Sequence, residues 1–424
     1  MNAYAHPITF DPAAPTVLIV ATDWFSEYGG LSTFNRRLGA GLAAAGARVL
    51  CLVPRQSEAE SAHAARRGVR LISAPPMIGG SLRHALVRRP VLPSGVTPDI
   101  VIGHGRITGS EAGVLVEDHY PHAARLHLVH MAADELEWWR SDQSAAGPDP
   151  GEQAEQRTTT EWELSRTATR VLAVGPVLHR TMCRDLSVFA GTPQPLRLDP
   201  GFDDPDLTTA LTAPRLPPPG CPAQILLLGR LQDYLIKGVD LAARAAAAAL
   251  RLRGPDGPDV ELLVRGAPAG ASAALRQRIL DWSGTSSLRV TVRPFTTDAE
   301  RLRQDFQRAT LVLMPSRAEG FGLAGAEAVA AGTPVLVSAR SGLGELVREV
   351  LPGAQADRIV VPVSGNDEHD EVRWAHHIAS VLADPSSAFT AAEHLRRIVT
   401  SQFTWRRAAE EILSAGRVEE RAAR

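Results

Sequence analysis

The chain has 424 residues, of which 44% are hydrophobic and 22% charged, with 35 Gly, 31 Pro and a formal net charge of −2. Such a composition describes a turn-rich globular protein of two or three domains and excludes coiled coil, collagen-like repeats and disorder. The near-neutral balance argues against a general nucleic-acid binder. The opening MNAYAHPITFDPAAP lacks the basic start and apolar stretch of a secretory signal, and no apolar run reaches the roughly 18 residues of a membrane helix. The three cysteines, Cys51, Cys183 and Cys221, are scattered and odd in number. They form neither a disulfide framework nor a zinc site, so a cytoplasmic location is expected.

Taken in chain order, short apolar runs alternate with Ala-rich helical stretches. Strands are predicted at Val17–Ala21, Arg48–Val53, Val69–Ala74, Asp99–His104, Leu126–Met131 and Val171–Val174, with helices such as Ser32–Ala45 and Gln153–Ala168 between them. Residues 203–222, rich in Pro, Asp and Thr, read as a linker. The alternation then restarts, with strands at Ile225–Leu228, Val260–Val264, Leu288–Val292, Leu311–Met314, Val335–Ser338 and Ile359–Val363. Helices are predicted near 238–252, 270–283, 298–309, 323–331 and 371–384, and two more, near 388–399 and 404–421, close the chain. The expected fold class is α/β, with two Rossmann-like doubly wound parallel-sheet domains facing across a cleft. The domains are an acceptor-side domain (1–202), a linker (203–222), a nucleotide-binding domain (223–402) and a terminal helix (403–424). Function belongs in the loops that follow strands.

Four such loops carry chemistry. In residues 314–339, Glu319, Gly320, Phe321 and Gly322 precede a helix holding Glu327. Glycines let a ligand approach the backbone, and the helix start offers N–H groups to a phosphate. Chain geometry bounds the Glu319–Glu327 separation at about 10–17 Å. That span suits the two ends of a sugar nucleotide and exceeds the about 5–9.5 Å of carboxylates flanking one glycosidic bond. Gly320, Gly322 and Gly325 also spell GxGxxG with Glu345 beyond, but Pro315–Glu319 separate the strand from the first glycine, against a dinucleotide fingerprint. In residues 226–245, Arg230 and Lys237 offer two cations to a leaving diphosphate. Of the 45 basic residues only Lys237 is a lysine. In an arginine-biased chain that points to a compact ammonium where a guanidinium does not fit.

Gly29–Gly30 opens a helix in the first half, with Ser32 as its expected N-cap. His130 and His104 end strands, where polar groups can meet a sugar hydroxyl. Asp134, Glu135, Trp138 and Trp139 follow, as acids and aromatic faces suited to an acceptor, and residues 141–152 read as a loop at the cleft mouth. The simpler alternatives are structural glycine turns, solvated charges and core-packed histidines and tryptophans. Asp118, His119, His122, His127 and Asp134 match no metal-ligand spacing, so no metal is expected. Residues 81–90, SLRHALVRRP, could touch an anionic membrane surface, though contact there is not favoured.

With these residues in place, the chain resembles the family 4 glycosyltransferases, retaining enzymes of GT-B fold. The resemblance rests on the E-x7-E element with EGFGL and AGTPV (Glu319 to Val335), on Arg230 and Lys237, and on the early Gly-Gly turn. It implies that Arg230 and Lys237 bind the donor diphosphate, Glu319 the donor sugar and Glu327 the ribose. Backbone at Phe321, Gly322 and Leu323 would meet phosphate and sugar, and Gly29 and Gly30 would line the pocket. His130 would be the catalytic-cleft histidine, and Arg293, Pro294 and Phe295 would lie at the nucleotide base. The terminal helix would return to the first domain. Two departures stand out: six residues separate Arg230 from Lys237 where four are common, and SGLGELV (341–347) replaces a Gly-Gly turn. The expected reaction is transfer of a sugar from a nucleotide-diphosphate sugar, UDP- or GDP-linked, to an acceptor hydroxyl by front-face substitution, without metal or other cofactor. The alternatives are an epimerase or glycosyl phosphorylase of the same fold, or a non-catalytic nucleotide-sugar-binding module.

Overall fold

Runs such as VLIV, VLCLV and LVLM are apolar at every position, as strands covered on both faces of a parallel sheet must be. The computed structural model describes residues 13–26, 29–139, 149–208, 213–220, 222–254 and 259–417, and in it these runs build two separate parallel sheets. The first contains β1 (Thr16–Val20), β2 (Arg48–Val53), β3 (Val69–Ser73), β4 (Ile100–His104), β5 (Ala124–Val129), β6 (Arg170–Val174) and β7 (Leu196–Leu198). The second contains β8 (Ala223–Leu228), β9 (Val260–Ala267), β10 (Arg289–Pro294), β11 (Leu311–Met314), β12 (Val335–Ser338) and β13 (Val360–Val361).

The strand orders are β3-β2-β1-β4-β5-β6-β7 and β10-β9-β8-β11-β12-β13. Each sheet is thus a doubly wound sheet whose direction of winding reverses between its first and fourth strands. The crevice outside the carboxyl ends of that strand pair is where ligands of such sheets bind. It lies beside β1 and β4 in one sheet and beside β8 and β11 in the other. The predicted site loops follow these strands and β5, which neighbours β4.

Helix Trp405–Gly416 leaves the second sheet and packs on helix Gly30–Ala44 of the first. The two approach closely at Gly41, where an added Cβ would lie 2.4 Å from the Trp405 carbonyl oxygen. Beside this contact the Trp405 and Phe34 rings meet edge to face at 5.2 Å. Within the 203–222 stretch, helix Pro205–Thr208 forms, and the Arg215 guanidinium donates to the carbonyls of Phe306 (3.2 Å) and Gln307 (2.8 Å) on the second sheet's side. No helix among the described residues is long and apolar enough to cross a membrane.

Predicted and observed elements differ at a few places. Helix Gly30–Ala44 is capped by Gly29, and Ser32 lies inside its first turn with Oγ donating to the Gly29 carbonyl at 3.5 Å. Strand β7 and helices Gly105–Val114, Pro176–Leu186 and Gly342–Val350 were not foreseen as elements. Of the 141–152 loop, residues 141–148 lie outside the described residues, while Asp149 caps helix Pro150–Arg166.

Candidate functional site

A cleft of about 1200 Å³ separates the carboxyl ends of the two sheets. Single-ligand pockets hold roughly 300–1,000 Å³, so this cleft lies above that range. Arg230, Lys237, Glu319, Phe321, Gly322, Leu323, Glu327, Gly29, Gly30, His130 and Phe295 all line it.

The cations come from the segment after β8. Residues 232–238 wind through consecutive turns, with the Lys237 N–H donating to the Asp233 carbonyl at 3.3 Å and the Gly238 N–H to Leu235 at 3.0 Å. Lys237 Nζ lies 2.7 Å from Glu319 Oε2, whose carboxylate also accepts from Ser316 Oγ at 3.2 Å. Arg230 is half-exposed, with its nearest carboxylate, Asp233, 3.6 Å away. Its Nε is buried without a hydrogen-bond partner, a donor held ready for an anion.

The anion-binding backbone follows β11. Helix Leu323–Ala330 begins behind Gly322, and the N–H groups of Phe321, Gly322 and Leu323 make no hydrogen bond among the described residues. The carbonyls of Gly320 and Phe321 accept from Gly342 N–H (2.8 Å) and Leu343 N–H (2.7 Å). SGLGELV therefore starts a helix, capped by Ser341 Oγ, that braces the EGFG loop from behind.

The first domain closes the cleft from the opposite side. A Cβ on Gly29 would lie 3.6 Å from Arg230 Cδ, and one on Gly30 3.3 Å from Leu323 Cδ1. The tightest approach is at Gly320, where a Cβ would stand 1.9 Å from the His130 carbonyl oxygen, so only a hydrogen fits. His130 Nε2 and His104 Nδ1 are 3.0 Å apart, and the Phe34 ring meets the His130 ring edge to face at 4.8 Å. Burial, then the neighbouring His104, holds His130 well below the usual imidazole value, and burial pushes His104 down to about 4. Both rings are neutral at pH 7.

Glu327 is held by a group the sequence reading did not foresee. Arg37 Nη2 donates to Glu327 Oε1 at 2.7 Å and lies 2.5 Å from Asp204 Oδ2. Burial raises the Glu327 carboxyl above the ordinary range, with Arg37 opposing and Asp204 reinforcing the shift. For Arg37 the cost of burial is outweighed by Asp204 and Glu327, which raise its value. The signal available in the sequence was spacing: Arg37 follows Gly30 by two helical turns and so shares its face.

Other predicted residues lie elsewhere. Asp134 is exposed and accepts from Thr158 Oγ1 at 3.1 Å; Trp138 is 60% exposed; neither lines the cleft. The side chain of Glu135 lies outside the described residues. Leu136 and Glu161 line the cleft from that side instead, Glu161 accepting from the Arg106 N–H at 3.1 Å and lying 2.6 Å from His127 Nε2. Trp139 lies over the Arg317 guanidinium of the second domain at 4.9 Å. Pro294 ends β10 outside the cleft lining, its carbonyl accepting from Arg265 at 3.2 Å, while the neighbouring Phe295 lines the cavity. Arg293 pairs with Asp305 at 3.3 Å. Among the described residues no group of three or more His, Cys, Asp or Glu could hold a metal ion.

The same fold recurs in known proteins. The chain superposes on sucrose-phosphate synthase of Thermosynechococcus elongatus with a TM-score of 0.66, at 21% identity, over 94% of this chain and 98% of that one. It superposes on Anabaena HepE, solved with UDP and glucose, with a TM-score of 0.61, at 15% identity, over 94% and 98%. In sequence, the D-inositol 3-phosphate glycosyltransferase of Salinispora arenicola is 29% identical over 326 residues, 74% of this chain and 67% of that protein. The match to the enzyme of the same name from Mycolicibacterium paratuberculosis, 33% identical over 196 residues, spans only 40% of its length. The model of family 4 glycosyltransferases in conflict systems matches residues 18–412, nearly the whole described chain. That match covers both sheets, and this chain is a family 4 glycosyltransferase of GT-B fold.

Proposed function

We propose that the protein transfers a sugar from a nucleotide-diphosphate sugar to an acceptor hydroxyl with retention of anomeric configuration. The observation that carries this reading is the convergence of Lys237, Arg230 and Glu319 at the carboxyl ends of β8 and β11, beside unpaired N–H groups at a helix start. Cations and helix N-termini aimed at a leaving diphosphate stabilise charge where it grows as the sugar–phosphate bond breaks. HepE, of like fold, binds UDP, and UDP is the first donor nucleotide to test, with GDP second.

In this mechanism Glu319 bonds the donor sugar's hydroxyls and Glu327 the ribose hydroxyls. Phe295 covers the base, and neutral His130 meets the sugar from the first domain. The acceptor hydroxyl enters on the face the diphosphate leaves. Its oxygen bonds the anomeric carbon as the carbon–phosphate oxygen bond breaks, and its proton passes to an oxygen of the departing diphosphate. No protein base is required, and Arg230 and Lys237 supply the positive charge a metal would otherwise provide. Closure of the two walls supplies proximity and excludes water. The acceptor lies against His104, Leu136 and Glu161. Cys51 and Cys183 are free thiols, in keeping with action in the cytoplasm.

The test is thermal stabilisation by UDP, GDP, ADP, CDP, NAD and pyridoxal phosphate, on wild type and Lys237→Ala. A ligand at about 100 times its dissociation constant stabilises the fold by about 2.7 kcal/mol. One nucleoside diphosphate stabilising wild type and not the variant supports the reading, and release of that diphosphate from its sugar conjugate in the presence of acceptor completes it. A response to NAD or pyridoxal phosphate alone overturns it.

A further inference from the structure

Arg36 and Arg37 are neighbours on helix Gly30–Ala44 and serve opposite directions. Arg36 turns into its own domain, donating to the Trp24 carbonyl at 2.7 Å and to Thr33 Oγ1 at 3.0 Å, with its guanidinium over the Phe25 ring. Arg37 reaches across the cleft. One nitrogen, Nη2, is shared by Asp204, at the exit from the first domain, and Glu327, on the second domain's helix Leu323–Ala330. The three side chains are only 12%, 7% and 13% exposed.

An ion pair buried this deeply is poor value as a stabilising device, because desolvation cancels most of the attraction. What it does fix is geometry. Glu327 has two carboxylate oxygens: Oε1 is taken by Arg37, and Oε2 has no hydrogen-bond partner among the described residues. The carboxylate lines the cleft, so its orientation decides what the free oxygen offers to a ligand.

We propose that Arg37 is a positioning residue for the donor nucleotide: from the opposite wall of the cleft it fixes Glu327 so that Oε2 is presented to the ribose hydroxyls. This inference rests on the reading above that Glu327 meets the ribose. It makes ribose recognition a property of both domains. Without Arg37, Glu327 is a buried carboxylate with no cation bonded to it, which either takes up a proton or turns away, and in both cases stops accepting from the diol.

The experiment compares UDP with 2′,3′-dideoxy-UDP by calorimetry on wild type, Arg37→Met, Arg37→Gln and Arg37→Lys, with the guanosine pair run in parallel. Circular-dichroism melts establish which variants are folded, and Arg37→Gln keeps a polar side chain in the site should Arg37→Met fail to fold. Wild type should prefer the ribose-bearing diphosphate by about 10-fold or more, as expected for hydrogen bonds to a charged group. Arg37→Met and Arg37→Gln should lose that preference while binding the dideoxy compound as wild type does, and Arg37→Lys should recover part of it. If wild type discriminates and the variants weaken both ligands equally, or neither, Arg37 is structural and the inference falls. If wild type binds both ligands alike, or binds no diphosphate, the assignment of Glu327 to the ribose fails first and takes the inference with it.

Discussion

The ammonium of Lys237, the chain's one lysine, lies 2.7 Å from Glu319 Oε2 across the floor of the cleft. Each charge neutralises the other, so under the proposed function the lysine is set free for an anion only as the carboxylate finds a hydroxylated ring. Lys237→Ala is expected to lower kcat/KM by roughly 10²–10³-fold, the effect of removing one donor aimed at developing negative charge. Lys237→Arg should recover little, because a planar fork does not replace a point charge on a flexible stem. Steady-state kinetics on the three proteins decides it; full activity in the arginine variant would contradict the assigned role.

Gly320 is where backbone meets backbone across the two walls. Its Cβ in Gly320→Ala would overlap the His130 carbonyl oxygen, so the cleft must open to accept one methyl group. The expected outcome is a folded protein whose melting temperature no longer rises with donor nucleotide. The melt with and without UDP is the measurement.

Acid pH should weaken donor binding earlier than an ordinary carboxylate would allow. Burial raises Glu327, opposed by Arg37 and Arg36 and reinforced by Asp204, so its charged form is lost as pH falls through a value above the usual range. Affinity for the nucleoside diphosphate, followed by calorimetry from pH 8 downward, should show this limb. In Arg37→Gln the limb should move to higher pH, since a cation that favours the carboxylate is gone.

Stability should also fall toward acid, through His104. Its folded-state value is pushed down to about 4 by burial and then by His127, while the unfolded chain binds a proton near 6.5. Between those values the unfolded state holds more protons, so stability is lost as pH drops from about 6.5 toward 4. Urea midpoints at pH 7 and pH 5 measure the slope, and His104→Asn should lessen it.

Arg317 and Asp240 form a buried pair with two hydrogen bonds of 2.6 Å, covered by Trp139 from the first domain. Removing Arg317 strips the buried Asp240 carboxylate of both short hydrogen bonds and leaves it Arg244, 3.1 Å away, as its remaining cation. Arg317→Ala should cost about 3–5 kcal/mol by urea denaturation, whereas Arg251→Ala, in an exposed pair with Glu371, should cost less than about 1 kcal/mol.

Strands such as Arg48–Val53 and Leu311–Met314 were legible to the residue because a parallel sheet needs apolar side chains on both faces, and few other structures do. Helix Gly105–Val114 was not, since GRITGSEAGV carries three glycines and poor helix propensity. Those glycines, 105, 109 and 113, recur every four residues and so share one face. Side chains there would strike Glu161, the His127 ring and Arg125. The helix exists because its bare face lets it lie close to its neighbours, a reason that resides in those neighbours. That Lys237, Glu319 and Glu327 share one cleft was likewise readable, since they follow strand ends in EGFGLAGAE and beside the lone lysine. Arg37 pairs with a residue 290 positions away, and nothing local to either announces the partnership.

The chain passes between the two sheets after Phe202 and returns at Phe403, and the two passages run side by side. The Phe202 N–H donates to the Phe403 carbonyl at 3.0 Å, and the Trp405 N–H to Asp203 Oδ1 at 2.8 Å. Two covalent crossings at one place act as an axle: turning about them stretches neither, while sliding or parting would stretch both. Any opening of the cleft is therefore constrained to a swing about this line, which keeps the register of the two lobes. A protease nick in the 213–220 segment would cut only one crossing and leave the lobes joined through the other.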